Sequence, residues 1–174
     1  TDKNLADLVS KVGKTPLLFQ PGERWHYSIS VDVQGRLIEV LSDQTLDAFL
    51  QERIFAPLQM SDTGFYAPQD KLDRLSKMYT PSKEGAIEPA PEFMSRNFVA
   101  KPALFSGGGG LVSTTGDYAR FCQMLLNGGT LDGERIVSRT TIELMTKDHC
   151  QTVEIGMRAK GSSFGLGFQV ALDQ

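Results

Sequence analysis

From Phe164 to Val170 the apolar side chains fall on alternate residues. Phe164, Leu166, Phe168 and Val170 are separated by Gly165, Gly167 and Gln169. That period of two marks a strand with one buried face. Such a segment constrains its surroundings strongly, because its N–H and C=O groups need a neighbouring chain. Little else in the sequence reads as a strand. The expectation is an α+β chain, mainly helical with long loops over about 1–150, and an orphan strand over about 160–174. On this reading residues 1–174 form a single incomplete domain.

The helical part shows its own punctuation. Asp2 is placed to cap a helix with Leu5, Leu8, Val9 and Val12 on one face, stopped by Gly13. Residues 14–24 hold Pro16, Pro21 and Gly22 and read as a loop. Ser28 or Ser30 opens the next helix, where Val33, Leu37, Val40 and Leu41 recur at helical spacing. Thr45 caps a third, with Leu46, Phe49, Leu50 and Ile54 as its stripe, ended by Pro57. Residues 61–105 are proline-rich and mostly irregular, with one short helix near 69–76. So long an excursion is usually functional or disordered. After Gly107–Gly110, Thr114 caps a helix with Asp117 in its first turn. Its buried face is expected to be Tyr118, Phe121, Cys122 and Leu125, and Asn127-Gly128-Gly129 ends it. Ser138 caps a last helix containing Ile142 and Met145.

Composition narrows the function. The formal net charge is −3, which argues against nucleic acid as a partner, since phosphate binding needs clustered Lys and Arg. No apolar run reaches the length of a membrane span. Thr1-Asp2-Lys3-Asn4 is polar and no apolar signal core follows. The chain does not begin with Met, so the compartment is left open. Cys122 in a helical stripe reads as a buried thiol; a Cys122–Cys150 disulfide is the other reading. Asp148-His149-Cys150 lacks the spacing of a metal site, so no metal is expected.

Three familiar motifs fail. Gly13-Lys14-Thr15 ends like a phosphate-binding loop, but Leu8 stands where its first glycine belongs. Gly107–Gly110 does not complete G-x-G-x-x-G. No G-x-S-x-G elbow exists. His26 and His149 are too few to argue a triad.

Two segments are specific. The first is Pro21-Gly22-Glu23-Arg24-Trp25-His26-Tyr27-Ser28, continued by Ile54-Phe55-Ala56-Pro57-Leu58-Gln59-Met60-Ser61-Asp62-Thr63. The second is Gly109-Gly110-Leu111-Val112-Ser113-Thr114-Thr115-Gly116-Asp117, followed by Phe121 and then Leu125-Leu126-Asn127-Gly128-Gly129. In order and spacing these resemble the P-G-x-x-x-x-Y-S, I-F-x-P-L-x-M-x-x-T and G-G-L-x-S-T-x-x-D-x-x-x-F segments of the class C β-lactamase type of serine hydrolase. That family also holds D-alanyl-D-alanine peptidases and esterases. The resemblance covers most of residues 15–147.

What the resemblance implies is concrete. The fold is a helical domain of the β-lactamase/transpeptidase type beside an antiparallel sheet, of which this chain supplies mainly the helical domain and the beginning of the sheet region. The chemistry is acyl transfer from an ester, amide or β-lactam to a serine, then hydrolysis, with no cofactor. Tyr27 matches the family's catalytic tyrosine and is expected to relay the proton. A phenol with a reference pKa near 10 does so at neutral pH only beside a cation. Trp25 and His26 flank it and either line the acyl pocket or pack the loop. Asp32 is expected to be a helix cap or a surface charge. Gly107–Gly110 permits either close backbone packing or plain flexibility.

The departures carry information too. No serine has lysine three positions on: Ser10 is followed by Gly13, Ser28 by Val31 and Ser82 by Gly85. The family's S-x-x-K nucleophile motif is thus absent, as is its C-terminal K-T-G, H-T-G or W-G-G. Both ends are expected to be cut, and the chain alone to be inactive. Ile29 stands where many β-lactamases and D,D-peptidases have asparagine, a residue that bonds a substrate amide from both ends. This points to the esterase branch. A rival reading is a non-catalytic binding or scaffold module that keeps the pocket and has lost the chemistry. An apolar face left by the missing sheet would favour a homo-oligomer or association with the missing parts of the same protein.

Overall fold

The computed structural model describes residues 3–91, 98–150, 154–155 and 161–172, with 154–155 described by backbone alone. Helix α1 spans Leu5–Val12. Its cap is Asn4, whose side chain accepts the Asp7 N–H at 2.9 Å; Asp2, the expected cap, lies outside the described residues. A Lys11–Asp7 pair one turn apart and Gly13 at the end complete it. Helix α2, Ser30–Ser42, starts from Ile29 without a side-chain cap, so neither Ser28 nor Ser30 caps it. Helix α3, Leu46–Leu50, widens into a π-helical turn, Gln51–Phe55. There Ala56 N–H donates to Gln51 and Met60 N–H to Phe55, each five residues back. Pro57 falls at this widening.

Two cores result. Leu5, Leu46, Phe65 and Phe105 form one, with the Phe65 and Phe105 rings edge to face at 5.0 Å. Phe55, Leu58, Met60 and Met124 form the other, and Leu50 packs against both. Helix α4, Thr115–Leu126, is capped by Thr114, which accepts the Asp117 N–H. Its inward face holds Asp117, Phe121, Met124 and Leu125, while Tyr118 is exposed. The expected stripe was thus rotated: Asp117 is drawn inward by hydrogen bonds, and Tyr118 turns out. Helix α5, Arg139–Met145, is capped by Ser138 as expected.

The strands are short. β1 (Arg24–Trp25) pairs in parallel with β6 (Glu154–Ile155). β2 (Tyr79–Pro81) and β3 (Ile87–Pro89) form a hairpin inside the segment expected to be irregular, next to a 3-10 turn at Gln69–Arg74. β4 (Thr130–Leu131) and β5 (Glu134–Arg135) form another. The alternation at the end is not an orphan strand. β7 (Ser162–Phe164) turns and pairs antiparallel with β8 (Gln169–Ala171), with Phe164 opposite Gln169. Gly165 N–H closes the turn on the Phe168 carbonyl at 2.7 Å. Gly165 also lies so close to α5 that a Cβ there would stand 2.1 Å from the Met145 carbonyl oxygen. The glycines that looked like strand spacers are the turn.

The α+β class holds. One stripe does not face inward: Val33, Leu37, Val40 and Leu41 of α2 are all exposed. The helix packs instead by Asp32 and Gly35, both buried. A Cβ at Gly35 would lie 2.9 Å from Leu46 Cδ2, so only a hydrogen lets α2 come this close. Cys122 and Cys150 are free thiols. Among the described residues no helix is long and apolar enough to cross a membrane.

Candidate active site

β1 delivers the first specific segment. At and beyond it, Trp25 and Tyr27 turn one way and Arg24 and His26 another. Trp25 and Tyr27 stand together, ring centroids 6.3 Å apart. The hairpin brings Phe164 onto the same corner, 5.0 Å from Trp25. Arg24 and His26 turn to a different ring: His26 meets Phe19 edge to face at 5.9 Å, and the Arg24 guanidinium lies 5.4 Å over that ring. Of the two flanking candidates, Trp25 therefore accompanies Tyr27, and His26 packs against Phe19. Tyr27 is 68% exposed.

Ile29 sits at the start of α2, partly exposed. Its carbonyl accepts both the Asp32 and the Val33 N–H, at 3.0 and 3.2 Å. Asp32 is neither a cap nor a surface charge. It is 7% exposed, and its Oδ1 accepts the Ser106 hydroxyl at 2.7 Å and the Gly108 N–H at 3.4 Å. The glycine loop is pressed onto this turn. A Cβ at Gly107 would stand 2.5 Å from the Val31 oxygen, and one at Gly108 2.8 Å from Asp32 Oδ2. Close packing, not flexibility, is what the glycines serve.

A second polar network holds Ser113, Thr63 and Asp117. Asp117 Oδ2 accepts the Asp62 N–H and the Thr63 hydroxyl, both at 2.8 Å, and Thr63 meets Ser113 at 2.7 Å. Beside it, hydrogen bonds from Arg74 and Lys71 pull the Asp62 carboxyl down from 3.8 to about 2. A cavity of about 510 Å³ opens here, lined in part by Phe55, Phe65, Lys71 and Val112, and Tyr27 does not line it. Size alone would favour that cavity. In its lining Asp62 is paired with Lys71 and Arg74, while Asp47 pairs with Lys101 outside it and keeps a buried Oδ1 without a hydrogen-bond partner among the described residues. Among the described residues no group of three His, Cys, Asp or Glu side chains could hold a metal ion.

The matches to known proteins follow this geometry. The sequence pattern of the family described as Beta-lactamase matches residues 1–174. The chain belongs to the β-lactamase family. Protein Rv1367c of Mycobacterium tuberculosis is 36% identical over 152 residues, which is 87% of this chain and 37% of that protein. Lovastatin esterase of Penicillium rubens is 35% identical over 127 residues, 71% of this chain and 32% of its own. The chain thus spans less than half the length of these relatives. EstCE1, described as a hydrolase with promiscuous acyltransferase activity, superposes with a TM-score of 0.83 at 24% identity, over 99% of this chain and 47% of that one. This likeness shows the fold: the chain has the β-lactamase-type architecture over nearly all its length.

Two residues at this corner escaped sequence reasoning. Phe164 was legible as an inward-facing residue of a strand, but nothing local points to Trp25. Asp32 had a signal, the glycine run, since consecutive glycines suit an approach that no Cβ would allow.

Proposed function

We propose that residues 1–174 are the tyrosine-bearing part of a serine hydrolase that cleaves esters, amides or β-lactams through an acyl-enzyme, with esters favoured. The observation that carries this reading is the exposed Tyr27 ring on the Pro21–Ser28 segment, beside Trp25 and Phe164. Ile29 in place of asparagine, and a relative named lovastatin esterase, favour an ester.

In this reading a serine Oγ attacks the carbonyl carbon, and its proton passes to the Tyr27 Oη. Tyr27 then gives that proton to the leaving oxygen as the ester C–O bond breaks. Water adds to the acyl-enzyme, releases the acid and restores the serine. Trp25 bounds the acyl side; Ile29 offers no hydrogen bond to a substrate amide. The serine and its lysine lie outside residues 1–174, so the chain alone has nothing to acylate. The exposed face of Val33, Leu37, Val40 and Leu41 then receives other parts of the same protein.

The test is a fluorophosphonate probe read by intact mass. The full-length protein is expected to gain one adduct and residues 1–174 none. A specific adduct on any serine of the 174-residue chain, or none on the full-length protein, overturns the proposal.

A further inference from the structure

We infer that Asp32 is a positioning residue for Tyr27, acting through a buried latch to Ser106 and the glycine loop; the inference rests on reading Tyr27 as the proton relay. The Tyr27 ring is 68% exposed. A side chain so exposed takes its place largely from its backbone. That backbone runs two residues to Ile29, whose carbonyl is held by the Asp32 and Val33 N–H groups.

What holds that turn is Asp32. Carboxylates are rarely this buried unless fully bonded. Here the partners are a hydroxyl and a backbone N–H from one loop, far away in sequence. The loop is itself fixed, since Phe105 is in the core and Gly110 abuts the Phe65 ring. Gly107 and Gly108 let it approach α2 to a distance any Cβ would forbid. The latch therefore ties the attachment point of Tyr27 to the Phe65–Phe105 core. An apolar residue at position 32 would avoid the cost of burying a charge. What the carboxylate adds is direction: it fixes which donors meet the turn, and so where the turn sits.

The experiment uses the full-length protein. Competent sites are counted with the fluorophosphonate probe, and kcat and KM per labelled site are measured with p-nitrophenyl butyrate. Asp32→Ala is expected to lower kcat per labelled site roughly ten- to a hundredfold, the scale of a misplacement of order 1 Å, with KM little changed. Asp32→Asn keeps an acceptor for Ser106 and is expected to recover part of that loss. Ser106→Ala is expected to be milder, and the double variant Asp32→Ala/Ser106→Ala no worse than Asp32→Ala, since both break one latch. Met124→Ala, in the other core, serves as the stability control: it should lower the thermal midpoint and leave kcat per labelled site intact. If Asp32→Ala behaves like this control, the inference is wrong. Should Asp32→Ala fail to fold, a kcat per labelled site equal to wild type in both Asp32→Asn and Ser106→Ala overturns it equally. Tyr27→Phe is run alongside. If it leaves kcat unchanged, the proton-relay reading falls and the inference with it. If it is impaired while the latch variants are not, the inference alone falls.

Discussion

Trp25 and Phe164 meet with ring centroids 5.0 Å apart and planes inclined at 52°. One stands on β1, near the start of the chain, and the other on the last hairpin. Such a tilted aromatic pair contributes about 0.5–1.5 kcal/mol beyond the area it buries. Trp25 is the only tryptophan, so its fluorescence reports this contact directly. Phe164→Ala is expected to shift Trp25 emission to longer wavelength and to lower the unfolding midpoint. Unchanged emission would mean that the rings do not pack in solution.

Tyr27 is the second test, made in the full-length protein. Tyr27→Phe removes one oxygen from an exposed ring and leaves its contact with Trp25. Stability should hardly change. Loss of a proton relay costs roughly 10²–10⁴-fold in rate. The expected outcome is a kcat reduced on that scale, with KM for a p-nitrophenyl ester nearly constant. A rate within a few-fold of wild type would remove Tyr27 from the mechanism.

Asp62 predicts an acid limb in the stability curve. Its folded pKa, about 2, lies below the ordinary 3.8 because Arg74 and Lys71 bond the ionised form. The unfolded chain therefore takes up the proton first. The group's contribution is fully present above about pH 4 and is lost as pH falls toward 2. Asp62→Asn should be less stable than wild type at neutral pH, and the gap should narrow below pH 4. A gap constant from pH 2 to 7, measured by urea denaturation, would contradict the ion pairs.

How much of this was legible in sequence depended on range. Two caps read correctly because they are local: Thr114 and Ser138 each meet an N–H three residues on, whereas α2 starts from Ile29 without a side-chain cap and Thr45 makes no cap bond to α3. The short helical turn expected near 69–76 stands at Gln69–Arg74, without a side-chain cap. Failures came where a distant partner decides. The apolar spacing of Val33, Leu37, Val40 and Leu41 predicts an inward face, yet Gly35 lets Leu5, Leu46 and Gly107 close on the other side of α2. The period of two from Phe164 to Val170 is real at both ends, but Gly165 and Gly167 bend it into a hairpin against α5. At the site, Tyr27 and Trp25 could be found from their motif. Asp32 had only the glycine run as a signal, since the hydroxyl that meets it, Ser106, lies many residues away.

Gly129 gives the sharpest structural test. It has φ +94°, and a Cβ there would stand 2.2 Å from the Val137 carbonyl oxygen and 2.9 Å from its carbon. Its own carbonyl accepts the Ile136 N–H at 2.9 Å, so the two strands of chain cannot separate without losing that bond. Gly133 offers the matched control: its φ is +89°, and nothing lies within 4 Å of a Cβ built there. Alanine at either position incurs backbone strain of about 1–3 kcal/mol. Only at 129 does it also collide with backbone, which overpacking data put at roughly 1–3 kcal/mol more. Gly129→Ala should therefore unfold at lower urea than Gly133→Ala, with the same slope. Equal midpoints would show that the β4–β5 hairpin does not fold back as tightly onto the end of α4 as these distances require.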